Sequence, residues 1–437
     1  MFTTLKNAFK IKEIRSKLLF TFAMLVVIRI GSNLPVPGVD TEYLRVVFNQ
    51  QMGSAFDFFD AITGGSFLTM SILALGINPY ITSSIIMQLL TIAIPKLEEM
   101  QKDGEDGKKK ITTITRYVTM GLALLQASAM VIGFGSQGLI PEFDTMKAIV
   151  AIAAMTAGSA FLMWIGERIT EKGVGNGISI VLVINIISRL PEDISALFAQ
   201  FVYGKPFATA ALAVVVIFAV IILMVVLVII LNGGVRKIPV QYAQKVQGRK
   251  MVGGQASSIP LKVNTSGVIP IIFAQSIMQF PLIIASFVGY EGNGAWGHIL
   301  GALNSQNWCN PKMPVYSIGL LVYILLVIFF AYFYTSITFN PLMVADNMKK
   351  QGGFIPGIRP GKPTSDYLSK VLHYIIFIGA VGLTIIGILP FVFNGLFGAS
   401  VSFGGTSLII IVSVVLETIK QIESQMLVRN YKGFLNN

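Results

Sequence analysis

Leu75-Gly-Ile-Asn-Pro-Tyr-Ile-Thr-Ser-Ser-Ile-Ile-Met-Gln-Leu-Leu90 begins an apolar run on the motif Gly76-Ile-Asn-Pro79, and far downstream Gly267-Val-Ile-Pro270 begins another. A proline in the first turn of a helix loses no hydrogen bond, because that N–H has no intrahelical acceptor anyway. Both motifs therefore read as helix starts, each preceded by chain broken up with Gly and polar residues. A helix start that recurs at corresponding points of two halves of a membrane protein points to an internal repeat. The functional path then runs along the interface of the repeats.

Working outward, composition makes the membrane setting plain. The chain has 437 residues, of which 54% are hydrophobic and 12% charged, against about 25% charged in a soluble domain. Apolar runs near the spanning length of about 17–25 residues fall near 17–34, 74–94, 116–136, 147–166, 209–232, 267–288, 315–336, 371–391 and 405–427. The run 176–190 is short and Gly-led. Alone it reads as re-entrant, but the topology needs it to span, which makes ten spans.

Orientation follows from the basic residues. They gather in the N-terminal segment (Lys6, Lys10, Lys12, Arg15, Lys17), after the second span (Lys96, Lys102, Lys108-Lys109-Lys110) and after the fourth (Arg168, Lys172). They gather again after the sixth (Arg236, Lys237, Lys245, Arg249, Lys250, Lys262) and the eighth (Lys349, Lys350, Arg359, Lys362), while the intervening loops hold scattered charges such as Arg45, Lys147, Lys205 and Lys312. Positive-inside bias then puts both termini in the cytoplasm. The net charge of +12 reads first as a topology signal, with nucleic acid as the alternative partner. No small-residue cleavage site follows the first span, so no signal peptide is expected. Cys309 is the single cysteine and falls in an outside loop, which excludes a disulfide framework within the chain.

Division near Gly204 leaves five spans on each side, residues 1–203 and 204–437. In the first half a long outside segment precedes the Pro79 helix; in the second a long inside segment, about 233–264, precedes the Pro270 helix. One half is thus inverted relative to the other. A weaker echo pairs Gly175-Asn-Gly-Ile-Ser-Ile180 with Gly404-Gly-Thr-Ser-Leu-Ile409, and chance similarity of Gly-rich helix starts is the competing account. The outside segment itself, about 35–73, holds within about 56–72 the stretches Phe56-Asp-Phe-Phe-Asp60 and Ala61-Ile-Thr-Gly-Gly-Ser-Phe-Leu-Thr-Met70. These are apolar, too short to span, and merge directly into a membrane helix. Such backbone at membrane depth is buried or lines a cavity; a surface-lying amphipathic turn is the alternative.

Catalytic constellations are missing. The two histidines, His298 and His373, lie outside or at the edge of spans, and no His-Glu-x-x-His is present. Gly361-Lys362 has the wrong spacing for a phosphate loop and is followed by Pro363. Asp103-Gly-Glu-Asp-Gly107 lacks the spacing of a calcium loop. No cofactor or metal is expected. Gly173-Val-Gly-Asn-Gly177 reads as a turn into the fifth span with Asn176 near its cap. Arg29, Glu167, Glu417 and Lys420 sit towards helix ends, where snorkelling or loop contacts explain them, so the midplane charges of an ion-coupled transporter are lacking. A transporter of neutral solutes stays open as the rival class.

What remains is a path with apolar walls. Ile81 and Ile85 share one helix face, as do Leu182 and Ile186. A ring of such side chains seals by dewetting and offers ions nothing to bind. Lipid-facing or packing aliphatics are the plain alternative for each residue singly.

Residues 75–90, Gly173-Val-Gly-Asn-Gly-Ile-Ser-Ile180, Pro260-Leu-Lys-Val-Asn264 with Gly267-Val-Ile-Pro270, and Ala345-Asp-Asn-Met-Lys-Lys350 running to Ile355-Pro-Gly-Ile-Arg-Pro-Gly361 resemble the SecY/Sec61 family, closest to its bacterial branch. The resemblance runs through essentially the whole chain. It implies an all-α membrane protein of ten transmembrane helices, in two inverted pseudo-symmetric five-helix halves around a central pore. Its implied function is a protein-conducting channel of the bacterial plasma membrane. This passes unfolded secretory polypeptides across the bilayer and releases transmembrane segments sideways into it.

By motif alignment the family's constriction ring falls on Ile81, Ile85, Leu182, Ile186, Ile272 and Ile410, with Leu182 a departure from an all-isoleucine ring. Its plug falls on Thr63, Gly64, Gly65, Ser66, Phe67, Leu68, Thr69, Met70 and Ser71. Its lateral gate lies between the Pro79 and Pro270 helices, where Gln88, Gln275, Ser276 and Gln279 are candidate polar contacts. Its cytoplasmic loops, about 233–264 and 340–370, carry Arg249, Lys250 and Arg359 at the positions that dock the SecA ATPase or the ribosome. SecE and SecG are the implied membrane subunits, and precursors with signal sequences the implied cargo.

Overall fold

Where each apolar run finds its helix caps decides the architecture of the computed structural model. It describes residues 8–40, 60, 63–135, 139–141, 143–242, 245–247, 250–252, 257–288, 294–309, 313–397 and 405–435. The chain starts with α1 (Lys12–Ser32). The Gly76 motif leads into α2 (Asn78–Ala93), with Pro79 in its first turn. The helix turns by 106° into the short α3 (Pro95–Lys102). Pro95 accounts for the bend, since a proline pushes the preceding residue out of the helical region, and Ile94 is extended at φ −112°, ψ 110°.

Next come α4 (Glu105–Phe134), α5 (Thr145–Lys172), α6 (Gly177–Phe201) and α7 (Phe207–Gly233). The cluster Lys108–Lys110, expected in a loop, lies on the first turns of α4. Asn176 caps α6, its Oδ1 accepting from the backbone N–H of Ile178 and Ser179 at 3.1 and 3.3 Å. The Gly-led run 176–190 is therefore the start of a 25-residue helix.

Four strands follow: β1 (Val235–Tyr242), β2 (Lys245–Gln247), β3 (Lys250–Val252) and β4 (Ser257–Lys262). The chain then forms α8 (Ile269–Val288), α9 (Ala295–Leu303), α10 (Ile318–Thr338), α11 (Pro341–Lys350), β5 (Gly353–Phe354), α12 (Lys362–Phe397) and α13 (Gly405–Leu435).

Each expected span falls on one helix. Among the described residues five stretches are by themselves long and apolar enough to cross a bilayer: α4, α5, α7, Pro314–Lys350 and Lys362–Phe393; α2 with α3 adds a sixth if the bent pair is one span. α1 and α6 carry charges instead, Lys12, Glu13, Arg15, Lys17 and Arg29 on one and Arg189, Glu192 and Asp193 on the other.

Two compact units emerge, Met1–Ala196 with Ile283–Glu291 and Val414–Asn437, and Leu197–Leu282 with Gly292–Ser413. In the first, α4 packs against α2 and α5, and α1 against α5. Small residues let these helices approach: Ala123, Ala127, Ala148 and Ala151 are buried in one cluster with Met130, Phe134 and Met155. Polar groups join the same helices, with Ser83 Oγ donating to the Thr115 carbonyl at 2.8 Å. Glu167, which reads in sequence as an isolated end charge, pairs with Arg116 Nε at 2.8 Å.

In the second unit α12 packs against α7, α10 and α11. Asn264 Nδ2 donates to Asn232 Oδ1 at 2.7 Å, and Asn232 Nδ2 to Ser413 Oγ at 2.6 Å. The sequence reading contained no strands, yet both expected cytoplasmic loops meet in a small antiparallel sheet of order β4-β1-β5. Ile238 lies opposite Ile259, and Gln241 opposite Phe354. Beneath it Ile238, Val240, Leu261, Met348, Ile355 and Leu368 form a core. Two loops separated by three helices are one body.

Candidate channel lining and plug segment

The two mirrored motifs adopt the same local geometry. Gly76 and Gly267 both sit in the left-handed region, at φ +59° and +63°, where glycine alone pays no steric penalty. Ile77 accepts from the N–H of Tyr80 and Ile81; Val268 accepts from the N–H of Ile271 and Ile272. Ile81 and Ile272 thus occupy the same place, two residues past the proline, and Gln88 and Gln279 both lie nine past it.

Among the ring candidates, Leu182 and Ile186 are buried on α6 while Ile81 and Ile85 are half-buried on α2. Ile81 and Leu182 join one apolar cluster with Ile28 of α1 and Leu162 and Ile165 of α5. In the second unit Ile272 is half-buried on α8; Ile410, on the stretch of α13 before Val414, is buried. Of the gate candidates, Gln88 is half-buried on α2 and Ser276 is exposed on α8. Gln275 is buried and Gln279 half-buried, and among the described residues the Oε1 of each lacks a hydrogen-bond partner. An unsatisfied buried amide oxygen costs about 1–3 kcal/mol, so these two glutamines hold polar capacity in reserve.

The segment 63–71 folds inward, which settles the choice between a buried and a surface-lying segment. Thr63, Gly64, Ser66, Phe67, Met70 and Ser71 are buried, and Gly65, Leu68 and Thr69 half-buried. It is a self-bonded turn. Asp60 Oδ1 accepts from Leu68 N at 3.0 Å, the Gly65 carbonyl from Thr69 Oγ1 at 3.0 Å, and the Ser66 carbonyl from Ser71 N at 3.0 Å. Val36 N donates to the Met70 carbonyl at 2.9 Å, and Ile72 N to that of Leu34 at 2.8 Å. Phe67 and Met70 enter the core of α4 and α5. Gly158 of α5 has no room for a Cβ against the Ile72 carbonyl. Residues 56–59, 61 and 62 of the expected plug lie outside the described residues.

Charged residues also grip this segment. Arg29 Nη1 donates to Ser188 Oγ at 2.8 Å and to the Gly64 carbonyl at 3.4 Å. Arg189 is ion-paired with Asp60 and lies 3.7 Å from Asp193. Gly64, at φ +69°, rests on α6 so closely that a Cβ would sit 2.7 Å from the Asn185 carbonyl oxygen and 2.8 Å from Ser188 Oγ. Sequence alone explains Arg29 by snorkelling or loop contacts, and the structure shows a loop contact, to the Gly64 carbonyl; sequence alone assigns no role to Asp60 and Arg189. Their signal was present as single charges inside otherwise apolar stretches.

Of the docking candidates, Arg359 is exposed between β5 and α12, its carbonyl accepting from Thr364 Oγ1 at 2.8 Å. Lys250 opens β3 opposite Gln247, and Arg249 lies outside the described residues. Arg236 and Lys237 on β1 and Lys262 on β4 are exposed on the sheet.

Comparison with known proteins places this arrangement. The SecY family profile matches residues 71–419. The protein translocase subunit SecY of Streptomyces galbus is 44% identical over 456 aligned residues, covering 100% of both chains. A structure of a protein-conducting channel superposes with a TM-score of 0.64 at 18% identity, covering 94% of this chain and 92% of that one. A structure concerning the plug domain of SecY gives 0.62 at 18%, with the same coverage. Sec61 from a canine ribosome–channel complex gives 0.61 at 17%, again covering 94% and 92%. With the family profile matching residues 71–419 and a relative 44% identical over the full length, the chain belongs to the SecY family.

Proposed function

We propose that this multi-pass membrane protein is a protein-conducting channel that passes unfolded secretory polypeptides across the bacterial plasma membrane and releases hydrophobic segments sideways into the lipid. The observation that carries the reading is a non-spanning segment buried inside the helices, with Gly64 against Asn185 and Ser188 of α6 and Phe67 and Met70 in the core of α4 and α5, in a chain identical to a translocase subunit at 44% of positions. SecY is a family of translocation channels, not of enzymes, so driving energy must come from outside the chain.

In this reading Ile81, Ile85, Leu182, Ile186, Ile272 and Ile410 close around the path. Bulky aliphatic side chains exclude water and ions yet deform around cargo of any sequence. Residues 63–71 plug the path from the outer side. Gln88, Gln275, Ser276 and Gln279 line the exit between α2 and α8. There, neutral amides bond and separate more cheaply than charges would. A signal sequence entering between these helices would satisfy the spare Gln275 and Gln279 oxygens.

Arg249, Lys250 and Arg359 present the basic surface to a partner. Ribosomal RNA, a polyanion, suits such a surface, with attraction that falls as salt rises; the SecA ATPase is the alternative motor. SecE and SecG complete the membrane assembly, and both termini face the cytoplasm. A photo-crosslinker at Ile85 tests the core of the proposal: it is expected to capture a stalled polypeptide in mid-translocation. Failure to capture, alongside uptake of a small neutral solute, would instead support a secondary transporter.

A further inference from the structure

On α6 the residues Leu182, Ile186, Arg189 and Asp193 are spaced four, three and four apart, so they form one stripe down one face of the helix. The first two are ring candidates; the third holds the plug segment. Asp60 is 1% exposed and the Arg189 side chain 12%. Asp60 has a double duty, since its Oδ1 also accepts from Leu68 N and so ties the charge to the fold of the segment. Asp193 stands behind Arg189 as a second carboxylate, with its side chain 10% exposed. Arg29 grips the same segment through the Gly64 carbonyl and meets α6 at Ser188.

A buried charge whose partner is withdrawn is strongly disfavoured. The segment therefore cannot leave α6 unless Asp60 reaches water or another cation. Conversely, movement of α6 that pulls Ile186 from the ring also pulls Arg189, one turn along, from Asp60. We propose that Asp60 and Arg189 are a charge latch that couples release of the plug to displacement of α6, and so sets the threshold at which cargo opens the channel. The inference rests on the reading of residues 63–71 as the plug.

The asymmetry of the site makes the test sharp. In Arg189→Met, Asp60 is left buried without its cation; in Asp60→Asn, Arg189 still has Asp193. The double variant has no orphaned carboxylate at position 60. Full-length channel, purified with its co-isolating subunits, is reconstituted in planar bilayers and its cargo-free conductance recorded. Arg189→Met is expected to raise open probability by at least about tenfold. Asp60→Asn should raise it less, the double variant should fall below Arg189→Met, and Arg189→Lys should stay near the parent.

Deletion of residues 63–71 separates the two layers of the argument. If the deletion conducts and Arg189→Met does not, the latch is wrong and the plug reading stands. A silent deletion overturns both. Equal conductance of Arg189→Met and the double variant shows that the Asp60 charge plays no part, which also overturns the latch. Should Arg189→Met not accumulate in membranes, Asp60→Asn against Arg189→Lys decides: higher conductance in the former supports the latch, and equality rejects it.

Discussion

At Gly64 a single hydrogen in place of a side chain is what lets the proposed plug seat on α6. Its φ of +69° and the Asn185 and Ser188 atoms under 3 Å from a would-be Cβ act together. Gly64→Ala is expected to destabilise the seated segment by about 1–3 kcal/mol, read as a lower Tm of the detergent-solubilised protein and as raised cargo-free conductance. Gly65, also at positive φ (+83°) but with open space around its Cβ position, should tolerate alanine better. Ile272 makes a different prediction, because polarity rather than shape is at stake. Ile272→Asn is expected to add an amide to the proposed apolar ring, wet it and weaken the closed state by ~1.4 kcal/mol, about a tenfold rise in ion leak. Export of a signal-defective precursor should rise with it. Unchanged leak and unchanged export would remove Ile272 from the ring.

At the scale of elements, two helix entrances share one design, and their surroundings separate them. Thr63 Cγ2 lies 2.9 Å from a Cβ built on Gly76, whereas among the described residues nothing lies within 4 Å of one on Gly267. Gly267→Ala is therefore expected to cost only the left-handed backbone penalty, about 1 kcal/mol. Gly76→Ala should cost more and perturb the plug segment as well; thermal unfolding of both variants measures the difference. These entrances were legible in sequence because their signal is local: a glycine, a proline and the apolar run after it. So was the Asn176 cap. The strands are not legible locally, although Ile238 and Val240 alternate with polar or exposed neighbours, because β1 finds its partners in β4 at the far end of its own loop and in β5 of a distant one. Likewise Asp60 and Arg189 are ordinary single charges until the fold brings them together. Local periodicity shows where helices begin; partners far apart in the chain become visible only in three dimensions.

Across the whole molecule the strongest inference from sequence is orientation, and one native residue tests it. Basic residues concentrate in alternate loops, and the proposed topology accordingly has both termini inside and the stretch between α8 and α10 outside. Cys309, the single cysteine, lies in that stretch. Its backbone N–H donates to Ser317 Oγ at 3.2 Å, and partial burial pushes its thiol pKa up. Since the thiolate is the reactive form, a raised pKa slows alkylation near neutral pH and moves the onset of rapid labelling to higher pH. A membrane-impermeant maleimide added to intact spheroplasts should therefore label Cys309 slowly at pH 7 and about tenfold faster for each pH unit below its pKa. In Lys362→Cys, combined with Cys309→Ser, labelling should wait until the membrane is permeabilised. The reverse pattern would invert the whole topology, moving the basic sheet of β1, β4 and β5 to the outer face, where neither a ribosome nor a cytoplasmic motor could reach it.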